Sequence, residues 1–172
     1  MKTTRIKDNY YMKSIPIILV TFSFFAWVIS PMTFAHNNAS SKHRSYLKDS
    51  GAETEPGKVI TQFHRAIKLG KKKKARYFLY DNVVIFEGGK VEKSADEYAN
   101  HHMLSDMKYA AKLHTEVLEH KVTLVGDMAY SFSRTKSIGQ YKGGYINKEG
   151  METMVLLKEE GKWKISHIHW SH

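Results

Sequence analysis

The chain has 172 residues, 42% of them hydrophobic and 26% charged, which fits one globular domain of ordinary size once a targeting segment is set aside. It contains no cysteine, which excludes a disulfide framework, a thiolate zinc site, a thiol nucleophile and a diacylated lipoprotein anchor; any metal must use His, Asp, Glu or Met. A formal net charge of +10 would suit nucleic acid or an anionic surface, and the first segment of the chain bears on that choice.

Basic Lys2, Arg5, Lys7 and Lys13 precede an apolar run from Ile15 to Ile29, and Thr33-Phe34-Ala35 has small residues at the first and third positions of a cleavage site. Residues 1–35 therefore read as a secretory signal peptide, with the mature chain starting at His36 and exported to the periplasm or medium. The other reading, a retained anchor, has about 15 apolar residues where a spanning helix needs roughly 20. Removal takes four Lys/Arg from 27 and one Asp from 17, leaving 23 and 16, so the mature chain is still about +7. Export argues against nucleic acid as a partner.

Residues 36–53 are polar and aperiodic and read as a flexible mature N-terminus, ahead of a domain over 54–172. A helix is expected from about Glu55 and Pro56, with Val59, Ile60, Phe63, Ala66 and Ile67 on its apolar face and Gly70 as its stop. Lys71, Lys72, Lys73, Lys74 and Arg76 then give a short second helix a strongly basic side, which is either a solvated face or a patch for an anionic envelope surface. Val83–Glu87 and Lys90–Glu92 flank Gly88-Gly89 as a hairpin. Ser94 and Glu97 form a capping box, with the carboxylate reaching back to Ser94, so a helix starts at 95 and runs through Tyr109. One of its faces presents Tyr98, His102, Ser105 and either Asp106 or Tyr109.

After Ala111 come long strand-like runs broken by glycine turns: 112–125, 128–138, 145–158, and a last strand from Lys162. Strand periodicity puts Trp163, Ile165, His167, His169 and Ser171 on one face of that last strand, with the two imidazoles aimed into an enclosed space. Helix, helix, hairpin, helix and a four-strand meander make an α+β plan in which a bent antiparallel sheet wraps its helices. That order, with Tyr80-Asp81-Asn82-Val83-Val84, Val125-Gly126-Asp127-Met128-Ala129-Tyr130 and Gly161-Lys162-Trp163-Lys164-Ile165, resembles the nuclear transport factor 2-like superfamily, in particular exported bacterial SnoaL-like members. The resemblance spans residues 55–172 and implies a cone-shaped fold with a pocket between sheet and helices, commonly dimeric through the sheet. Such proteins include isomerases, dehydratases, cyclases and plain binding modules. No match to the Tyr and Asp pattern of the isomerases is visible, so no catalytic residue is carried over.

The pocket candidates are Tyr98, His101, His102, Asp106, His167 and His169. His167 and His169 lie about 6.5–7 Å apart on one strand face, close enough to converge on one ion. With His101 or His102 opposite, and Asp106 or Glu87 as further donors, they form a candidate metal set for zinc or copper; nothing in the sequence requires a cofactor. The alternatives are acid–base catalysis by one histidine and a plain polar lining. Adjacent His101 and His102 differ by about 100° around a helix, so one at most is aimed inward. Met103, Met107, Met151 and Met154 admit copper handling but suit core packing. Asp81 and Glu87 receive no catalytic role, and His64, His114 and His120 read as ordinary surface or strand residues. The function expected is an exported small-molecule-binding domain with lyase or isomerase chemistry, or else a noncatalytic envelope module that dimerises through its sheet.

Overall fold

The structure is a computed structural model that describes residues 50–172; the expected signal segment and residues 36–49 lie outside the described residues. Residues 50–53, expected within the flexible start, are tied to the domain. Ser50 N–H donates to the His120 carbonyl at 3.0 Å, and Val122 N–H donates to the Ser50 carbonyl at 2.8 Å.

Helix α1 covers Glu55–Lys68, with Thr54 as its N-cap accepting from Gly57 N–H and Pro56 in its first turn. Ile60, Phe63, Ala66 and Ile67 bury its apolar stripe. Transfer of the fully buried Phe63 ring from water alone stabilises the fold by about 1.5–3 kcal/mol. Helix α2, Lys72–Tyr77, buries Ala75. Strands β1 (Leu79–Glu87) and β2 (Lys90–Glu92) pair antiparallel across Gly88 and Gly89, whose φ values of 54° and 78° are those of the mirror-image turn that matches strand twist.

The expected helix 95–109 is two helices, α3 (Ala95–Asn100) and α4 (Met103–Lys112). The Ser94 hydroxyl accepts from Glu97 N–H at 3.0 Å, whereas the Glu97 carboxylate accepts from Lys93 N–H, one residue before the expected position. His101 leaves helical geometry, with φ −106° and ψ −83°. The break lets both neighbouring imidazoles turn toward one carboxylate, Glu92, which a continuous helix would forbid.

Strands β3 (Leu113–Val125), β4 (Met128–Tyr141), β5 (Gly144–Glu159) and β6 (Lys162–Ser171) form the antiparallel meander, and β1 joins parallel to β6. The sheet order is β2-β1-β6-β5-β4-β3. Its inner face meets α1, α3 and α4 in a core that includes Leu79, Ile85, Tyr98, Met103, Met107, Met154, Leu156, Ile165 and Ile168. Met103, Met107 and Met154 are therefore packing residues, while Met151 is exposed.

Strand β6 does not keep the expected alternation. Val155 pairs with His167 while Leu156 pairs with Ile165, so Ser166 is an extra residue that bulges. One inserted residue exchanges faces for everything after it. Trp163 and Ile165 are buried before the bulge, and Ile168 and Trp170 continue the inner face after it. His167 and His169 emerge on the outer face instead, in edge contact with the Phe86 ring.

Candidate functional site

Two polar groups of side chains lie on the inner side of the domain. The first surrounds a cavity of about 320 Å³ between the β1–β2 hairpin and helices α3 and α4, lined by Ile85, Glu87, Gly88, Lys90, Glu92, Tyr98, His102, Ser105, Asp106 and His172. Tyr98 is fully buried on α3, and its hydroxyl donates to Asp106 Oδ2 at 2.8 Å. Burial and the neighbouring Asp106 carboxylate push the Tyr98 hydroxyl far above its ordinary range, so it stays a neutral donor. Burial also raises Asp106, against the opposing effects of its hydrogen bond from Tyr98 and the charge of His102. Glu87, at the end of β1, is pushed up to about 6 by burial and by Asp106, with His102 opposing. Two carboxyls whose affinity for protons is raised thus face one cavity.

At the floor of the hairpin, Glu92 is only 5% exposed. Its Oε1 pairs with His102 Nδ1, while its Oε2 lies 3.4 Å from His101 Nδ1 without an aligned hydrogen bond. A wider hollow of about 520 Å³ elsewhere is bounded by Lys108, Ala111, Lys112, Gln140, Tyr141 and Lys142. It is more open and offers lysines with no facing carboxylate or imidazole, so the smaller cavity is the candidate site.

The second group surrounds Glu152 on β5, which is 8% exposed. Its carboxylate lies 3.1 Å from His64 Nε2, accepts from Trp170 Nε1–H at 2.6 Å, and accepts from the Ser133 hydroxyl at 3.4 Å. Buried His120 bonds Ser131 Oγ at 3.2 Å and adds positive potential. Burial pushes the Glu152 carboxyl up, but the charge of His64 and the bonds from His64 and Trp170 outweigh it, so the net shift is downward. Burial likewise opposes charge on His64, and Glu152 outweighs it, raising the imidazole above 6.5. The two groups adjoin where the Tyr98 and Trp170 rings touch, their centroids 6.1 Å apart.

Of the sequence-derived pocket residues, the structure brings Tyr98, His102 and Asp106 around the cavity, with His101 beside Glu92 at its edge. His167 and His169 do not join them, because the Ser166 bulge turns them outward; His167 Nδ1 bonds the Val84 carbonyl at 2.8 Å. The four-imidazole metal set of His101, His102, His167 and His169 is therefore not assembled. Sequence reasoning missed two carboxylates, Glu92 and Glu152, and gave Glu87 only the part of a further metal donor. Glu152 shares strand parity with Met154 and Leu156, a readable sign of a carboxylate on the core face. Glu87 and Glu92 share a hairpin whose inner face was not tracked to its end. His64 and His120, expected to be ordinary, serve the Glu152 network; His120 shares parity with buried Val122, whereas nothing in the sequence signals the His64 contact. Arg76 is engaged by Asp81 at 2.8 Å and Asp96 at 2.7 Å, which removes one cation from the expected basic patch.

The model of the calcium/calmodulin-dependent protein kinase II association domain family matches residues 52–172. A solved protein of Shewanella frigidimarina NCIMB 400, described as a candidate ketosteroid isomerase, is 48% identical, over 70% of this chain and 98% of that one, with a TM-score of 0.69. A Xanthomonas campestris protein described as such an association domain is 20% identical over 72% and 88% of the two chains, with a TM-score of 0.57. A candidate dehydratase of the nuclear transport factor 2-like family from Streptomyces avermitilis is 16% identical over 68% and 92%, with a TM-score of 0.60. These last two likenesses speak to fold alone. No protein of curated function matches the chain. With a family match across the whole described domain and a cone of helices in a six-stranded curved sheet, the chain belongs to the calcium/calmodulin-dependent protein kinase II association domain family, within the nuclear transport factor 2-like superfamily.

Proposed function

We propose that the protein is an exported small-molecule-binding domain that moves a proton on a small ligand carrying a carbonyl or hydroxyl group. The observation that carries this reading is Glu87, raised to about 6, facing the Tyr98–Asp106 pair across one cavity. A carboxylate with that affinity for protons is matched to general-base work near neutral pH, and the neutral Tyr98 hydroxyl, held by Asp106, can turn its one hydrogen to a ligand oxygen in the cavity. The 48% identical Shewanella protein, described as a candidate ketosteroid isomerase, supports proton-transfer chemistry of the isomerase or lyase type. Export rests on the basic start, the apolar run and Ala35.

Hydrogen–deuterium exchange at carbon next to the carbonyl, followed by nuclear magnetic resonance over a panel of small ketones and keto acids, tests the proposal. Some members should exchange faster with protein, with a rate that rises through pH 6 and is lost in Glu87→Gln. If no panel member exchanges faster, or if Glu87→Gln leaves the acceleration intact, the reading fails.

The module reading is favoured by the outer sheet face. Phe132, Thr153, His169 and Phe86 line up across β4, β5, β6 and β1, with exposed Met151 and Leu157 nearby. This face suits a homodimer formed through the sheet, with His167 and His169 inside it and not in the pocket. Sedimentation should show dimers that Phe132→Glu converts to monomers; a monomeric parent protein would end this reading. Lys71, Lys72, Lys73 and Lys74 remain as the surface for an anionic envelope, without Arg76.

A further inference from the structure

We propose that Glu92, Glu97 and His101 form a binding site for a divalent transition-metal ion, with zinc as the best match, at the edge of the cavity. One donor atom from each residue lies within 4.8 Å of the others. The spacing has a simple origin: Glu97 and His101 are one helical turn apart across the end of α3, and β2 carries Glu92 beneath them.

The independent sign of a ligand is Glu92 Oε2. The Glu92 side chain is 6% exposed, and this oxygen is buried with no hydrogen bond, although Oε1 is matched with His102 Nδ1. A buried carboxylate oxygen left bare loses its hydration with nothing in return. His101 Nδ1 stands 3.4 Å from it, poorly aligned for a hydrogen bond. Two donors on a tetrahedral zinc with bonds of about 2.0–2.1 Å are separated by roughly 3.3–3.5 Å, a spacing this pair already matches, while the Glu97 donor lies within 4.8 Å of both. Glu97 uses Oε2 to accept from Lys93 N–H, leaving its second oxygen for the ion.

Two carboxylates balance the charge of a dication, and imidazole with carboxylate oxygens is a zinc-type donor set that a cysteine-free chain can offer. Three protein donors leave the remaining position for water or a ligand atom. His102, held on the other oxygen of Glu92, fixes that carboxylate's orientation as a positioning residue. This site does not depend on the proton-transfer reading, since it uses Glu97 and His101, which take no part in it.

The test is zinc titration of untagged, chelator-stripped full chain against a chromophoric chelator, repeated with cobalt(II) to read coordination geometry from its visible absorption. Saturable binding and a tetrahedral cobalt spectrum are expected for the parent protein. Both should be lost in His101→Ala and in Glu97→Gln, which keeps the cap acceptor for Lys93. His102→Ala should weaken zinc binding about 10–100-fold, and His114→Ala on exposed β3 should leave it unchanged. Thermal melting of the metal-free variants at the parent temperature would show that the fold is intact. Absence of saturable binding by the parent, or binding that survives both His101→Ala and Glu97→Gln, overturns the proposal.

Discussion

Glu152 and Glu87 are both glutamates at the inner side of the same sheet, yet their surroundings drive them in opposite directions. Glu152 is nearly closed off from water, and burial alone would neutralise it, but His64, Trp170 and Ser133 direct positive charge or hydrogens at it and hold the carboxylate ionised. Glu87 is less enclosed, yet burial raises it most, the like charge of Asp106 adds to that, and His102 opposes only in part. The lesson is that burial raises both carboxyls, and the sign and alignment of the neighbours decide whether that rise is reversed. A carboxylate with its donors in place serves the fold, whereas one left short of them is available for chemistry.

The largest effect should come from removing the satisfied partner. Glu152→Ala strands the Trp170 N–H, the Ser133 hydroxyl and His64 together, and should cost about 3 kcal/mol in urea unfolding. His64→Ala should cost less, about 1 kcal/mol or below, because that imidazole side chain is 46% exposed and Glu152 keeps its bond from Trp170. If the two substitutions cost the same, the network is held by the ion pair and not by the buried hydrogen bonds. The pH dependence separates them further. Glu152, lowered, contributes stability above about 4.5 that is lost as pH falls through its folded value; His64, raised, contributes stability below 6.5 that is lost as pH rises through its folded value.

Most of the fold was legible because it rests on patterns that repeat. The apolar stripe of α1, the Gly88-Gly89 turn, the Ser94 cap and the alternation along β4 each state one local fact several times over. The site was legible only in part. Tyr98, His102 and Asp106 were found through helical spacing, though on a helix that breaks between 100 and 103. The inward placing of His167 and His169 failed on a single bulged residue, Ser166, for which alternation has no signal. Glu92 owes its importance to a carboxylate oxygen left bare in three dimensions, a property that no spacing rule carries.

The comparison of the two glutamates is most directly tested by carbon-13 nuclear magnetic resonance of the side-chain carboxyls, titrated with pH and assigned with Glu87→Gln and Glu152→Gln. The account predicts that Glu87 titrates near 6 and Glu152 below the ordinary glutamate value of 4.5. Because Glu87 is raised, its contribution to stability is present below about 4.5 and lost as pH rises through about 6, so Glu87→Gln should flatten that part of the stability curve. Two overlapping curves in the ordinary glutamate range would contradict the account and remove the basis for a proton-holding cavity.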